Sequence, residues 1–157
     1  MQKKCFFIGH RDAPESIFPM LLHEVERHIA EYGVKDFYVG HYGRFDGMAA
    51  KAVITAKLQY PEIKLIMLLP YHPFEQPIPT PKGFDGTLYP NGMEKVPKRF
   101  AIVRANQDMV KNSTHLIAYV KHFMGGSGRV LEYAQKREKK KLLSITNLAK
   151  AEVFAAD

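Results

Sequence analysis

The stretch Lys4-Cys5-Phe6-Phe7-Ile8-Gly9 decides the fold, because it is a continuous apolar run that ends in glycine. A run this short and this uniformly apolar is typical of a strand buried on both faces of a sheet. Apolar residues then recur at helical spacing after Pro14, and Gly33 ends that pattern. The chain therefore begins as a strand–helix unit of the kind that builds parallel sheets.

The same alternation continues along the chain. Further strands are predicted at residues 37–40, 64–69, 114–120 and 142–145. Helices are predicted at residues 48–58, 97–110 and 129–140. The pattern predicts an α/β fold, in which a Rossmann-like, doubly wound, mainly parallel five-stranded sheet forms the middle of three layers.

Residues 71–97 interrupt this alternation and contain most of the chain's ten prolines. We expect a Pro-rich irregular insertion here, with a short edge segment near residues 87–89, inside a single domain that spans residues 1–157. A loop this long is more often functional or interfacial than idle. Its aromatic residues predict a contact surface, and with it a homo-oligomer, most simply a homodimer: Tyr71, Phe74, Phe84 and Tyr89.

The formal net charge of +7 favours anionic partners, nucleic acid among them. Much of this charge lies at residues 137–141, late in a predicted helix, where cations complement the helix dipole. A solvated helix end is therefore favoured over a nucleic-acid patch at that run.

Targeting and metal-binding signals are weak throughout the sequence. The first apolar run is too short for a signal peptide, no stretch is long enough to span a membrane, and a lone Cys5 fits a reducing compartment. We therefore expect a cytoplasmic protein with no membrane contact. The histidines are dispersed without metal-ligand spacing, so we expect no metal and no resident cofactor.

Glycine-rich loops follow the first, second and fourth predicted strands. In a parallel sheet ligands bind beyond the carboxyl ends of the strands, at the point where the strand order switches. All of these loops belong to that edge, which we call the rim. Its candidate ligand-binding residues are Gly9, His10, Arg11, Gly40, Gly43, Asp46, Gly125, Gly126, Ser127, Gly128 and Arg129.

The chemistry of these residues points to a phosphate-bearing ligand. The segment 125–129 leads into a helix, where glycines admit a phosphate and free N–H groups bind it. Arg11 is a candidate phosphate clamp. Asp46 is either the cap of the following helix or a carboxylate that binds a ribose or base, and His10 is either a base or a packed side chain. Glu132 lies one turn inside the last helix.

With these loops assembled, the chain resembles the SLOG superfamily, named for DNA-processing proteins and the LONELY GUY phosphoribohydrolases. More closely, it is similar to a family of small bacterial SLOG proteins. The stretches that carry the resemblance are Gly9-His10-Arg11, residues 37–40, Phe45-Asp46, Tyr60-Pro61, Tyr89-Pro90, residues 94–102, Arg104, Asn106, Met109, Tyr119-Val120 and Gly125-Gly126.

The resemblance implies a Rossmann-like fold and a nucleotide-derived ligand. It also adds Asn106 to the ligand-binding candidates and makes Arg104 and Glu132 candidate catalytic residues. Relatives tend to have an arginine where Ala105 stands. The LONELY GUY motif has a proline and a threonine where this chain has Met124 and Arg129, whereas Gly125, Gly126, Gly128 and Glu132 match it.

Three functions are compatible with this sequence. The first is binding of a nucleotide or nucleotide-derived ligand, as a sensor or sequestering module. The second is enzymatic: hydrolysis of the N-glycosidic bond of a nucleoside 5′-monophosphate. Glu132 would either assist water or stabilise an oxocarbenium-like centre, and Arg11 or Arg104 would hold the phosphate. The third is binding of single-stranded DNA. The fold alone does not choose among them.

Overall fold

The computed structural model describes residues 2–150. Its strands are β1 (Lys4–Gly9), β2 (Asp36–Val39), β3 (Lys64–Leu68), β4 (Gly86–Leu88), β5 (His115–Tyr119) and β6 (Ser144–Asn147). Its helices are α1 (Phe18–Ala30), α2 (Arg44–Lys57), α3 (Ala101–Lys111) and α4 (Gly125–Lys139). Short 3₁₀ turns cover Glu15–Ile17, Met93–Lys95 and Lys98–Phe100.

The strands form one parallel sheet in the order β4-β3-β2-β1-β5-β6. The order runs outward from β1 in both directions, so the switch in strand order lies between β1 and β5. This arrangement confirms the predicted α/β, Rossmann-like fold class. The sheet has one strand more than the five expected, because the short edge segment in the Pro-rich insertion pairs with β3 as β4.

Alternating side chains of the central strands divide the core into two layers. Cys5 and Phe7 pack with α1 and α2 on one face, where the rings of Phe7 and Phe37 stack 6.0 Å apart. Phe6 and Ile8 pack with α3 and α4 on the other face. Burial of each large apolar side chain contributes roughly 1.5–3 kcal/mol, so both faces of β1 stabilise the sheet, as its continuous apolar run predicts.

Several predicted boundaries shift. The last helix begins at Gly125 rather than at residue 129, so the glycines form its first turn instead of a preceding loop. The helix predicted from Pro97 begins at Ala101, because the residues between them form a 3₁₀ turn. The last strand lies two residues later than predicted.

The aromatic residues of the Pro-rich insertion differ in exposure. Phe74 is 93% exposed, whereas Tyr71, Phe84 and Tyr89 are half-buried. The Tyr71 hydroxyl donates to the Lys98 carbonyl 3.2 Å away, which ties the insertion to the start of α3. Across the described part of the chain, no helix is both long and apolar enough to cross a membrane.

Candidate functional site

A cavity of about 410 Å³ opens at the carboxyl ends of β1 and β5, where the strand order switches. We call it the rim pocket. The loops after β1 and β2 and the starts of α3 and α4 surround it. Its polar and glycine lining consists of Gly9, His10, Arg11, Asp12, Gly40, Tyr42, Asp46, Asn106, His122, Gly125, Gly126 and Ser127. Its apolar lining includes Leu68, Ile102, Val103 and Met124.

The end of β1 is held tightly against its neighbours. A Cβ atom at Gly9 would lie only 2.2 Å from the ring of Phe45, so the close approach of α2 to the strand requires glycine here. The Ser127 hydroxyl donates to the Gly9 carbonyl at 3.0 Å and connects the start of α4 to β1. The two elements on either side of the switch in strand order are thereby joined.

His10 is a neutral imidazole held in one orientation. Its Nε2 accepts a hydrogen bond from the backbone N–H of Lys121 at 2.8 Å, so this nitrogen carries no proton. Its ring stacks on His122 with 4.4 Å between centroids. Burial, together with the charge of His122 and Lys121, lowers the pKa of His10. The interpretation of His10 as a packed side chain at a strand end fits these contacts, and its ring also lines the pocket.

The loop after β2 brings a carboxyl group to the pocket wall. The Tyr42 N–H donates to Asp46 Oδ2 at 2.9 Å, and a Cβ atom at Gly40 would lie 2.9 Å from the same oxygen. Glycine at position 40 therefore leaves room for this carboxyl. Asp46 lies in the first turn of α2, and the helix cap is Gly43, so of the two interpretations of Asp46 the helix cap is wrong.

Burial raises the pKa of Asp46 to about 7, although the Tyr42 hydrogen bond and the charge of Arg11 both act to lower it. The carboxyl therefore changes between its protonated and ionised forms near neutral pH. A protonated Asp46 donates a hydrogen bond to a ligand, whereas an ionised one accepts. The hydroxyl of Tyr42, on the same wall, is buried without a hydrogen-bond partner among the described residues.

The start of α4 presents free backbone donors to the pocket. Its cap residue, Met124, is extended, and among the described residues no side chain makes a capping hydrogen bond there. The first N–H groups of a helix have no partner within the helix. Gly125 has a positive φ of 82°, a conformation that favours glycine, and a Cβ at Gly126 would make only an ordinary 3.6 Å contact with Val103.

Nine of the fourteen predicted site residues line the rim pocket: Gly9, His10, Arg11, Gly40, Asp46, Asn106, Gly125, Gly126 and Ser127. Gly43 and Gly128 instead support the walls. A Cβ at Gly43 would lie 2.7 Å from the backbone of Arg11, and one at Gly128 would lie 2.4 Å from the backbone of Phe123.

The remaining three predicted residues are exposed and lie outside the pocket lining. Arg129 and Glu132 are on α4, and Arg104 pairs along α3 with Asp108 at 3.5 Å. The structure therefore does not bring the two candidate catalytic residues, Arg104 and Glu132, together with the glycine loops.

Sequence reasoning missed the apolar wall of the pocket. Ile102 and Val103 lie beside Asn106 on α3. Because both are apolar, the sequence pattern predicted that they belong to the core rather than to a binding site. The signal that points to them is the position of this helix, whose start faces the rim. Within residues 2–150, no group of three or more His, Cys, Asp or Glu side chains is arranged to hold a metal ion.

Neither a protein-family model nor a curated protein sequence matches the chain. Solved structures do match its fold. Helicobacter pylori DNA processing protein A, described for its single-stranded DNA binding mode, has 19% identity and a TM-score of 0.59 over 87% of this chain. This chain spans 62% of the length of that one.

Two further neighbours are described as handling the molybdenum cofactor. The molybdenum cofactor binding protein of Rippkaea orientalis has 15% identity and a TM-score of 0.59, with 99% of this chain and 84% of that chain covered. The molybdenum cofactor carrier protein of Chlamydomonas reinhardtii has 14% identity and a TM-score of 0.57, with 99% and 100% covered. These likenesses confirm the Rossmann-like α/β fold that the sequence predicts.

Proposed function

We propose that the rim pocket binds a nucleotide or a nucleotide-derived anion and that the chain acts as a sensor or sequestering module. The observation that carries this proposal is the meeting of the loop after β1, the loop after β2 and the uncapped start of α4 around one cavity. Ligands of open parallel sheets bind at this switch in strand order.

The phosphate of the ligand would lie at Gly125, Gly126 and Ser127. Free N–H groups and the positive end of the helix dipole act together there, which makes a helix start a ready anion site. Arg11 lines the same cavity and supplies a full positive charge. This pairing of backbone donors with one guanidinium suits a phosphate.

The organic part of the ligand would contact the opposite wall. Leu68, Ile102 and Val103 supply the apolar surface on which a heterocycle packs. The Asp46 carboxyl and the unpartnered Tyr42 hydroxyl supply the few polar groups that fix its orientation. The volume of about 410 Å³ falls within the range of small-molecule sites.

The structural neighbours support this ligand class. Two are described as binding or carrying the molybdenum cofactor, which is nucleotide-derived, and one as binding single-stranded DNA. All of these ligands are anionic and related to nucleotides, and the net charge of +7 on this chain is compatible with such partners.

Calorimetry with a panel of nucleoside monophosphates tests the proposal. We expect Gly126→Val to abolish binding, because the added side chain occupies the phosphate position while its Cβ makes only an ordinary contact with Val103. Arg11→Ala should cost roughly 1.5–3 kcal/mol of binding free energy, the value of a charge-assisted hydrogen bond.

Matched controls separate these effects from general damage. Gly47→Val places the same side chain at a helical glycine whose Cβ has nothing within 4 Å and which lies outside the pocket lining. Lys139→Ala removes a cation from the far end of α4. A nucleotide that binds the parent, Gly126→Val and Arg11→Ala with equal affinity would place its site elsewhere and contradict the proposal.

Hydrolysis of a nucleoside monophosphate is a second candidate function. The observation that favours it is a half-buried carboxyl on the pocket wall, Asp46, whose pKa of about 7 suits a general acid or base. Glu132 is the carboxylate that the sequence motif favours. Release of adenine from AMP, measured for the parent, Asp46→Asn and Glu132→Gln, tests the activity and tells the two carboxylates apart.

Binding of single-stranded DNA is the third candidate, favoured by the exposed aromatic rings of Phe100 and Phe123 near the rim and by the basic net charge. Salt-dependent retention of an oligonucleotide would support it. Self-association into a homodimer also stays a proposal, and light scattering that gives 17.9 kDa, the mass of one chain, would contradict it.

A further inference from the structure

A second cavity, of about 370 Å³, lies beside the rim pocket in the Pro-rich insertion. Both cavities are lined by Pro70. At the start of α3, Ala101 lines the second cavity and the next residue, Ile102, lines the rim pocket. The two cavities are therefore neighbours that share part of a wall.

Aromatic rings dominate the second cavity. The rings of His72 and Phe74 stack with 5.2 Å between centroids and 9° between planes, and Tyr89 meets His72 edge-on at 5.3 Å. The Phe74 N–H donates to His72 Nδ1 at 3.1 Å, which fixes the orientation of the imidazole. These contacts orient the His72 imidazole and place the Phe74 ring parallel to it.

The outer ring of this stack faces solvent. Phe74 is 93% exposed, the highest exposure of any large hydrophobic side chain in the described part of the chain. A flat, exposed aromatic surface that is already oriented by its neighbour is the feature on which nucleobases stack in single-strand binding proteins. The cavity thus offers a stacking surface rather than an enclosed apolar pocket.

The polar groups of the second cavity suit the edge of a base better than a phosphate. Glu75 and Glu94 both line it, and carboxylates repel a phosphate but accept hydrogen bonds from exocyclic amino groups. Lys98 is the cation among its lining residues, and its ammonium lies 4.0 Å from Glu75. The anionic part of a ligand is therefore better placed in the rim pocket.

We infer that the second cavity is a stacking subsite for a second heterocyclic ring, so that the ligand carries two flat rings joined through phosphate. The inference rests on the proposed function, because the phosphate of this ligand occupies the rim pocket. Its chemical class is a dinucleotide, whether free or as part of a single strand, with an amino-bearing base at His72 and Phe74.

Calorimetry with AMP and with the 5′-phosphorylated dinucleotide pApA tests the inference. We expect the parent to bind pApA about tenfold or more tightly than AMP, the order of magnitude that stacking of one base contributes. Phe74→Ala should remove that advantage and leave AMP binding unchanged, whereas Phe74→Tyr, which keeps the ring, should retain it. Leu58→Ala, at an 89% exposed position at the far end of α2, is the matched control.

The outcomes separate the two proposals. If AMP binds, and Phe74→Ala binds pApA as tightly as the parent does, the stacking subsite is refuted while the rim pocket stands. If neither probe binds the parent, both proposals fail for adenine nucleotides. A changed mass of Phe74→Ala in light scattering, with unchanged pApA affinity, would assign Phe74 to a subunit interface and overturn the inference.

A longer strand distinguishes the source of the two rings. An oligonucleotide of about ten adenylates, within the site size of single-strand binding domains, should bind more tightly than pApA if the partner is a nucleic acid. Equal affinity of the two would identify a free dinucleotide. In both cases we expect Phe74→Ala to bind its ligand more weakly than the parent does. If Phe74→Ala binds both pApA and the oligonucleotide as tightly as the parent, the stacking subsite is refuted.

Discussion

The two ends of the parallel sheet both carry histidines and a carboxylate, but they are built differently. At the carboxyl end, His10 and Asp46 line the open rim pocket. At the amino end, His28, His115, Tyr32 and Glu24 pack against one another, and we call this group the histidine cluster. Its rings lie 5.0–5.4 Å apart, and His28 Nδ1 lies 2.8 Å from the Glu24 carbonyl.

Shifted pKa values occur at both ends, so they do not identify the site by themselves. Burial lowers the pKa of His115 to about 4, and the hydrogen bond from His28 lowers that of Glu24. Those shifts arise from packing within the histidine cluster. At the rim, the groups with shifted pKa values border a cavity that also offers free backbone donors, and this combination is why we propose the binding site there rather than at the histidine cluster.

The largest expected effect comes from His28→Ala in the histidine cluster. His28 is 1% exposed, and its loss leaves a cavity beside Tyr32 and His115 and removes a partner of Glu24. We expect the free energy of unfolding to fall by roughly 2–5 kcal/mol, measured by urea denaturation. His122→Ala, at an exposed rim position, is the control and should change it by less than about 0.5 kcal/mol. Equal losses would remove the contrast between the two ends.

A second prediction concerns the acid stability of the histidine cluster. The pKa of His115 is about 4 in the folded chain and 6.5 in its unperturbed state. As pH falls from 6.5 towards 4, the unfolded chain therefore takes up a proton that the folded chain does not, and stability decreases. Because His115 is only partly buried, among His28, Tyr32 and Lys3, we expect a loss of about 1–2 kcal/mol rather than the full linkage value.

Urea denaturation at several pH values checks this loss. His115→Gln should flatten the decline in stability between pH 6.5 and pH 4, since glutamine does not titrate. His23→Gln, at an exposed position of α1, is the matched control. Its stability should decline with falling pH as steeply as that of the parent. A profile for His115→Gln as steep as that of the parent would show that other groups account for the decline.

The smallest effect is expected at the rim, where Asp46 should link ligand affinity to pH. An anionic ligand disfavours ionised Asp46, so binding favours the protonated form, and affinity should rise as pH falls through about 7. A methyl ester of AMP keeps one phosphate charge over this range, which removes the titration of the phosphate itself. We expect up to about tenfold tighter binding at the lower end of the range, measured by calorimetry.

Variants of the two pocket carboxylates check this linkage. Asp46→Asn should abolish the pH dependence. Asp12→Asn removes the other carboxylate of the pocket lining and should preserve the slope. A slope that survives in Asp46→Asn would assign the proton to a different group.

Much of the fold followed from local patterns in the sequence. The apolar run at residues 4–9 and the strand–helix alternation predicted the parallel sheet, because strands buried on both faces have a distinctive composition. The edge strand Gly86–Leu88 was harder to recognise as a sixth strand of the sheet. Its residues are half-buried or exposed, and its pairing with β3 depends on a segment that is distant in the sequence. Helix starts shifted where glycines and 3₁₀ turns replaced regular caps.

The candidate site was predictable where backbone shape decides it. Gly9 and Gly40 were found because glycines at strand ends mark close approaches, and Gly126 because a glycine-rich segment that leads into a helix can bind an anion. The apolar wall formed by Ile102 and Val103 was not, because apolar residues on a helix usually indicate core. Glu132 was selected from a motif, yet it is exposed on α4, since helix rotation rather than sequence spacing decides which side chains reach the pocket.

Amide chemical-shift mapping by NMR during titration with nucleoside monophosphates decides whether the ligand binds at the rim pocket, because it reports on both ends of the sheet in one experiment. We expect the largest shifts at the amides of Gly126, Ser127, His10 and Gly40, with the amides of His28 and His115 unchanged. Shifts concentrated at the histidine cluster or along residues 137–141, with the rim amides unmoved, would contradict it.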